Sequence, residues 1–199
     1  MLSLPRTIRP SLLAAAAVAA ALTLSACGGA TTATGPGTSS TPAASSASSN
    51  AADVAFAQMM IPHHEQAVTM SDDLLAKQGA DPRVVELATQ IKAAQEPEIK
   101  QLTTWLTAWG ADTGGMSDMD HGTDGMMSDA DMMTLGTASG ADADRMFLEL
   151  MIAHHQGAIA MAQTEVEDGA DADAQALAAA IVASQTEEVA VMTDLLGAL

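Results

Sequence analysis

The sequence predicts an all-α fold: an antiparallel four-helix bundle assembled from two duplicated helical hairpins. Three observations predict it. The first is an internal duplication. Asp53, Phe56, Met60, Ile61, His63, His64, Ala67 and Met70 match Asp144, Phe147, Met151, Ile152, His154, His155, Ala158 and Met161 at a constant offset of 91 residues. After a one-residue deletion the match resumes, and Gly79, Ala80, Asp81, Ile91, Gln95 and Glu98 pair with Gly169, Ala170, Asp171, Ile181, Gln185 and Glu188. The second is composition: tyrosine is absent, β-branched runs are missing, and Ala, Leu, Met, Gln and Glu dominate. The third is spacing. Phe56, Met60, His63, Ala67, Met70 and Leu74 fall at alternating four- and three-residue steps, the seam of a helix that packs on a partner. A lone hairpin cannot bury such a seam, whereas two facing hairpins can.

Residues 1–26 have the pattern of an export signal. Arg6 and Arg9 form a positive start, and an Ala- and Leu-rich stretch, too short for a comfortable membrane span, follows. It ends in Leu24-Ser25-Ala26-Cys27, which resembles the bacterial lipobox and marks Cys27 as a lipidated first residue of the mature chain. Cys27 is the only cysteine, so no intramolecular disulfide can form. Residues 27–52 are then the lipid-bearing cysteine and a flexible Gly-, Ser-, Thr-, Ala- and Pro-rich linker, able to hold the folded part about 25–30 Å from its anchor. Residues 53–199 form one domain, with hairpins at 53–110 and 142–199 and a Met-rich connection at 111–141.

The first helix is expected from about Asp53, as N-cap, to Lys77, with Gly79 as its stop. The second opens at Asp81-Pro82, an N-cap followed by proline at the first helical position, and runs to Trp109 before Gly110. The third starts near Asp142 or Asp144 and stops before Gly169. The fourth follows Asp171 almost to the C-terminus. Pro62 and Pro97 lie inside the first two helices and have no counterparts in the second hairpin, so the first hairpin should bend where the second does not. In the connection, Ser128 and Asp131 can cap a short helix, and the rest reads as mobile surface loop.

The formal net charge is −18, and every Asp and Glu lies after residue 50. Nucleic acid and anionic lipid headgroups are therefore poor partners, and cations are natural ones. Four of the five histidines sit in the two Met-x-x-His-His units, Met60 with His63 and His64, and Met151 with His154 and His155. The second helix places Gln95 and Glu98 on its apolar seam, and the fourth places Gln185 and Glu188 on its own. Each polar group lies near mid-helix, so all can share one layer. There they satisfy one another or bind a metal, because a buried carboxylate without a partner is costly. Imidazoles beside thioethers are soft, neutral ligands and suit copper better than magnesium or calcium. Met116, Met119 and His121 in the connection form a second candidate site, of the thioether type that selects copper(I). A di-iron site needs Glu-x-x-His pairs, and the chain has none. Ser-His-Asp, phosphate-loop and zinc-cysteine motifs are also absent. No catalytic residue is assigned.

The duplicated hairpin, with Met-Ile-x-His-His-x-x-Ala and then a Gln-x-x-Glu helix, resembles the bacterial domain of unknown function 305 family. The second copy, from Phe147 to Ala162, is the closer match. The resemblance covers residues 53–199 and implies a ferritin-like fold, an exported location and, for some members, copper binding. It would make His63, His64, His154 and His155, with Met60 and Met151, the ligands. Together these point to an exported, lipid-anchored copper-binding protein, copper(I) favoured, that buffers or sequesters metal and is not primarily a catalyst. The rival expectation is a structural or protein-interaction module of the cell envelope, whose buried His, Glu and Gln layer only fixes helix register. A metal-dependent redox enzyme is the third.

Overall fold

The structure, a computed structural model, describes residues 49–113 and 125–199. The signal and lipidation residues, Cys27 among them, lie outside that range, as do Met116, Met119 and His121. Five helices are present: α1 (Ala51–Leu75), α2 (Pro82–Trp109), α3 (Asp129–Thr137), α4 (Gly140–Asp168) and α5 (Ala172–Ala198). No strand occurs among the described residues, and no helix there is long and apolar enough to cross a membrane. α1 packs along α2 and α4 along α5, and the two hairpins meet through α1 and α4. The expected four-helix bundle is therefore the observed one, with the short α3 added.

The helix ends follow from capping chemistry, with corrections. α1 begins two residues earlier than expected. Its N-cap is Asn50, whose side chain accepts the backbone N–H groups of Ala52 and Asp53, while Asp53 at the third position returns a bond to the Asn50 N–H. That capping box closes the first turn from both sides. α1 ends at Leu75, before the expected Lys77, and Gly79 sits in the turn beyond it at φ +80, which favours glycine. α2 starts from Asp81 with Pro82 at its first position and stops on Gly110 at φ +70, as the sequence predicts. α4 starts at Gly140 after Ser139, earlier than Asp142 or Asp144. α1 continues through Pro62 and α2 through Pro97 as single helices.

Asp53 and Asp144 share another task, which explains their match in the repeat. The Asp53 carboxylate accepts the backbone N–H groups of Ala170 and Asp171, at 3.0 and 2.9 Å, from the turn of the other hairpin. Asp144 accepts the Asp81 N–H, at 2.9 Å, from the turn of the first. Each hairpin thus caps the turn of its partner. Both carboxylates are buried, where charge-assisted bonds to otherwise unpaired N–H groups are strong.

The described end of the connection, from residue 125 on, is more structured than a surface loop. Ser128 and Asp131 form the predicted capping box, and α3 docks through Leu135, which is fully buried. One such side chain contributes about 1.5–3 kcal/mol of burial energy. Met127 and Met132 are half-buried against the core, and Met133 alone of the connection's described methionines is exposed, at 72%.

The apolar core comes in two clusters. One gathers Met70 and Leu74 of α1, Val84 and Ile91 of α2, Phe147 and Met151 of α4, and Met192 of α5. The other gathers Phe56 and Met60, Leu102 and Leu106, Ala158 and Ala162, and Ala178 and Ile181. On every long helix the residues between the two clusters are the polar ones named above.

Candidate functional site

That polar layer is the candidate site. His63 and His154 are the same position in the two copies of the repeat. Their rings meet across the α1–α4 interface with centroids 3.7 Å apart and planes tilted by 40°. His64 and His155 stand one residue on, each fully buried, and each turns toward the second helix of its own hairpin. His64 Nε2 lies 2.8 Å from Glu98 Oε2, and His155 Nε2 lies 2.7 Å from Glu188 Oε2. The duplication is therefore repeated in three dimensions: two His–Glu pairs flank a central His–His pair.

The tautomers follow from the partners. A carboxylate oxygen accepts, so Nε2 of His64 and of His155 carries the hydrogen, and Nδ1 is the nitrogen turned away from the glutamate. Those two Nδ1 atoms are buried without a hydrogen-bond partner among the described residues. Neither ring nitrogen of His154 makes a well-formed hydrogen bond there, although the His63 backbone makes a weak contact with it. Both polar atoms of the Gln95 side chain and Oε1 of Gln185 are buried and unpaired in the same sense. Buried polar atoms without partners cost about 1–3 kcal/mol each and call for an explanation.

Electrostatics keep His154 neutral. Burial, and then the neighbouring imidazoles of His63, His155 and His64, push the His154 ring down to about 2, far below the usual histidine range. A ring that stays neutral keeps a lone pair for a ligand at every physiological pH.

Glu98 and Glu188 are not the fully buried acids that their seam positions suggest. Their side chains are 21% and 22% exposed, so each carboxylate reaches the rim of the layer and is partly hydrated. On α2 the seam closes with Leu106, and Trp105 is only half-buried, stacked on Trp109. Met60 and Met151 are fully buried one turn before His63 and His154. The structure thus brings His63, His154, His64, His155, Gln95 and Gln185 into one buried layer, with the two glutamates at its edge.

The end of the connection lies against this layer, a contact absent from the sequence reading. Gln66, two residues after His64, donates to the Met127 carbonyl at 2.9 Å and accepts the Met127 N–H at 2.7 Å. Gly125 rests on α4 so closely that a Cβ there would stand 2.8 Å from the Ala153 carbonyl oxygen and 3.0 Å from that of His154. Gln66 and Gly157 occupy one repeat position, and their difference is the signal for this strap: one residue clamps it, and the other makes room for it.

The donor set suits a soft cation of low coordination number. It offers imidazole nitrogens with thioethers nearby, and it lacks the oxygen-rich shell that a hard cation needs. Among the described residues, no three His, Cys, Asp or Glu side chains converge as a ready-made cage.

Comparison with known proteins agrees with this architecture. A Streptomyces coelicolor structure is 36% identical over 73% of this chain and 92% of its own, with a TM-score of 0.69. A Deinococcus radiodurans fragment is 34% identical over 76% of this chain and 99% of its own, also at 0.69. CopM, solved with Cu(I), Cu(II) and silver bound, is 30% identical in its Cu(I) form, over 72% of this chain and 94% of its own, at 0.62. No curated protein matches. Residues 53–196 match the family described as Domain of unknown function (DUF305), as do the first two structures by their own descriptions, and the chain belongs to that family.

Proposed function

We propose that this protein is exported, is held by lipid on Cys27 at the outer face of the cell membrane or at the outer membrane, and binds copper there to buffer or sequester it. The observation that carries the proposal is the central layer. A buried, neutral His154 without a well-formed hydrogen bond, and buried Nδ1 atoms of His64 and His155 without partners among the described residues, serve no packing purpose that leucine or glutamine would not serve better. His63, His154, His64 and His155 would hold the metal, and Met60 and Met151 would supply thioethers from the adjoining turn. Glu98 and Glu188 would orient the outer imidazoles. Copper(I) is favoured because it accepts few, soft ligands. The likeness to CopM, which binds copper and silver, supports the same reading. Met116, Met119 and His121 would form a second, weaker collecting site in the connection.

One observation favours a rival. Without a ready-made cage, the layer also suits a cell-envelope module in which a polar stratum only fixes helix register. A calorimetric scan with and without copper(I), under anaerobic reducing conditions, separates the two. A bound metal raises the melting temperature by mass action, and changing His63, His64, His154 and His155 to alanine should abolish the rise. No shift at several-fold metal excess rejects a metal site in the core.

A further inference from the structure

At one end of the bundle lies a second group of titratable side chains, unrelated to the histidine layer. Asp53 of α1, Glu165 of α4 and Asp171 of the α4–α5 turn are all buried, at 0, 1 and 3% exposure. Asp53 and Asp171 have backbone N–H partners. Glu165 has none: both its carboxyl oxygens are buried without a donor among the described residues. It faces the Asp53 carboxylate, itself only an acceptor while ionised. Two acceptors in contact are repulsive unless one of them carries a hydrogen. A proton on Glu165 supplies the missing hydrogen bond, and Asp53, already accepting from backbone N–H groups, is the natural anion.

The duplication shows that this carboxyl is not required by the fold. At the same position of the first copy stands Leu74, fully buried. Room for the carboxyl is made by Gly169, where a Cβ would stand within van der Waals overlap of Glu165 Oε1. Gly169 has ordinary extended backbone, unlike Gly79 with its positive φ, so the two matched glycines are present for different reasons.

We propose that Glu165 and Asp53 share one proton, and that this proton is a latch fastening the start of α1, where the linker joins, to the α4–α5 turn. The latch releases when Glu165 gives its proton to solvent. The two carboxylates then repel across the contact by which Asp53 caps Ala170 and Asp171. Asn50, whose side chain bonds the Asp168 carbonyl at 2.8 Å, is loosened with them. The charges acting on Glu165 are those of Asp53 from α1 and Asp171 from the turn, both acidic, and no cation among the described residues offsets them. Burial, then the bond to Asp53 and the charges of Asp53 and Asp171, push the Glu165 carboxyl up to about 8. Asp53 moves the other way: burial alone would raise it, but bonds from Asn50, Asp171, Glu165 and Ala170 outweigh that and lower it. Opposite shifts in two touching carboxyls are the mark of a shared proton.

The sign is fixed by linkage. Between the ordinary glutamate value of 4.5 and about 8, the folded chain holds a proton that the unfolded chain has lost. Stability from this group is fully present below the first value, falls as pH rises, and levels off above the second. The test compares the full chain with Glu165→Gln, which keeps shape and a donor but cannot ionise. The gap in melting temperature between variant and wild type should widen steadily from pH 5 to pH 8 and then hold constant. Glu165→Leu, the side chain used at Leu74, is the second variant if glutamine disturbs folding. In parallel, carbon-13 NMR should place the Glu165 carboxyl titration near pH 8. A pH-independent gap, or a midpoint in the ordinary carboxylate range, overturns the proposal.

Discussion

His63 and His154 are one residue position used twice, and their rings lie 3.7 Å apart where the two hairpins meet. A contact between equivalent residues of a repeat marks the pseudo-two-fold axis of the bundle. Whatever occupies that axis is therefore approached by both copies alike, with His64–Glu98 on one side and His155–Glu188 on the other. Within each hairpin His64 or His155 pairs with a glutamate of its own second helix, while the His63–His154 contact forms only where two copies face each other.

The neutral His154 ring predicts an acid-sensitive bundle. His154 is pushed down to about 2 in the fold, from an ordinary value of 6.5. Its contribution to stability is fully present above pH 6.5 and is lost progressively as pH falls toward 2, by about 1.4 kcal/mol per pH unit while one proton is taken up on unfolding. Glu165 contributes the opposite slope between 4.5 and 6.5, so the wild-type curve alone hides the effect. The difference in urea-unfolding free energy between wild type and His154→Leu isolates it. That difference should shift toward the leucine variant as pH drops from 7 to 5. A constant difference would mean that the ring protonates within the fold.

The two glutamates predict a loss where their seam positions alone suggest a gain. Were they fully buried, leucine would remove a desolvation cost. They sit at the rim, and each takes the hydrogen of a fully buried imidazole. Glu98→Leu or Glu188→Leu leaves that N–H without a partner and should destabilise the metal-free protein by about 1–3 kcal/mol. Glutamine, still an acceptor, should recover part of the loss. If the proposed metal site is right, either leucine variant should also weaken copper(I) binding by about 10–100-fold, since the imidazole loses the group that orients it. Chemical denaturation and chelator competition measure the two effects separately.

Much of this arrangement is legible from residues alone, because the repeat carries it. Two seams with matching His-His pairs, and two more with matching Gln-x-x-Glu, force four helices and a shared polar layer. The first N-cap is less legible: Asn50 and Asp53 are both good capping residues, and only the capping box shows which is outermost. What stays hidden lies where the copies differ. Leu74 against Glu165 conceals the latch, and Gln66 against Gly157 conceals the strap. A departure from a repeat looks like drift until a third segment is seen to pack on it. Exposure at Glu98 is hidden for another reason: seam position fixes the direction of a Cβ, while a long side chain carries its carboxylate outward to water.

The strap predicts a sharp glycine requirement. Gly125 sits at φ +84, where an L side chain costs about 1–2 kcal/mol, and an added Cβ also collides with the α4 backbone at Ala153 and Gly157. Gly125→Ala should detach the segment before α3, while Gln66→Ala removes only its two bonds to Met127 and should loosen it less. Limited proteolysis between residues 111 and 128 ranks the two variants, with wild type slowest. Equal cleavage of all three would show that the strap is not held by these contacts.

The last prediction separates the two proposed copper sites. Met116, Met119 and His121 belong to the connection, whereas the imidazole pairs belong to the bundle. Removing residues 114–121 should lower the number of copper(I) ions bound in competition with a chromophoric chelator. It should leave helicity by circular dichroism unchanged, because Gln66 and Gly125 still fasten the end of the strap and α1, α2, α4 and α5 keep their cores. The metal-dependent rise in melting temperature should also survive, since it arises from ligands that only the folded bundle brings together. The reverse variant, His63→Leu with His154→Leu, should keep the ions of the connection and lose that rise. Unchanged stoichiometry after the deletion would make Met116, Met119 and His121 spectators. A thermal shift that vanished with the deletion would instead move the principal site out of the bundle and into the connection.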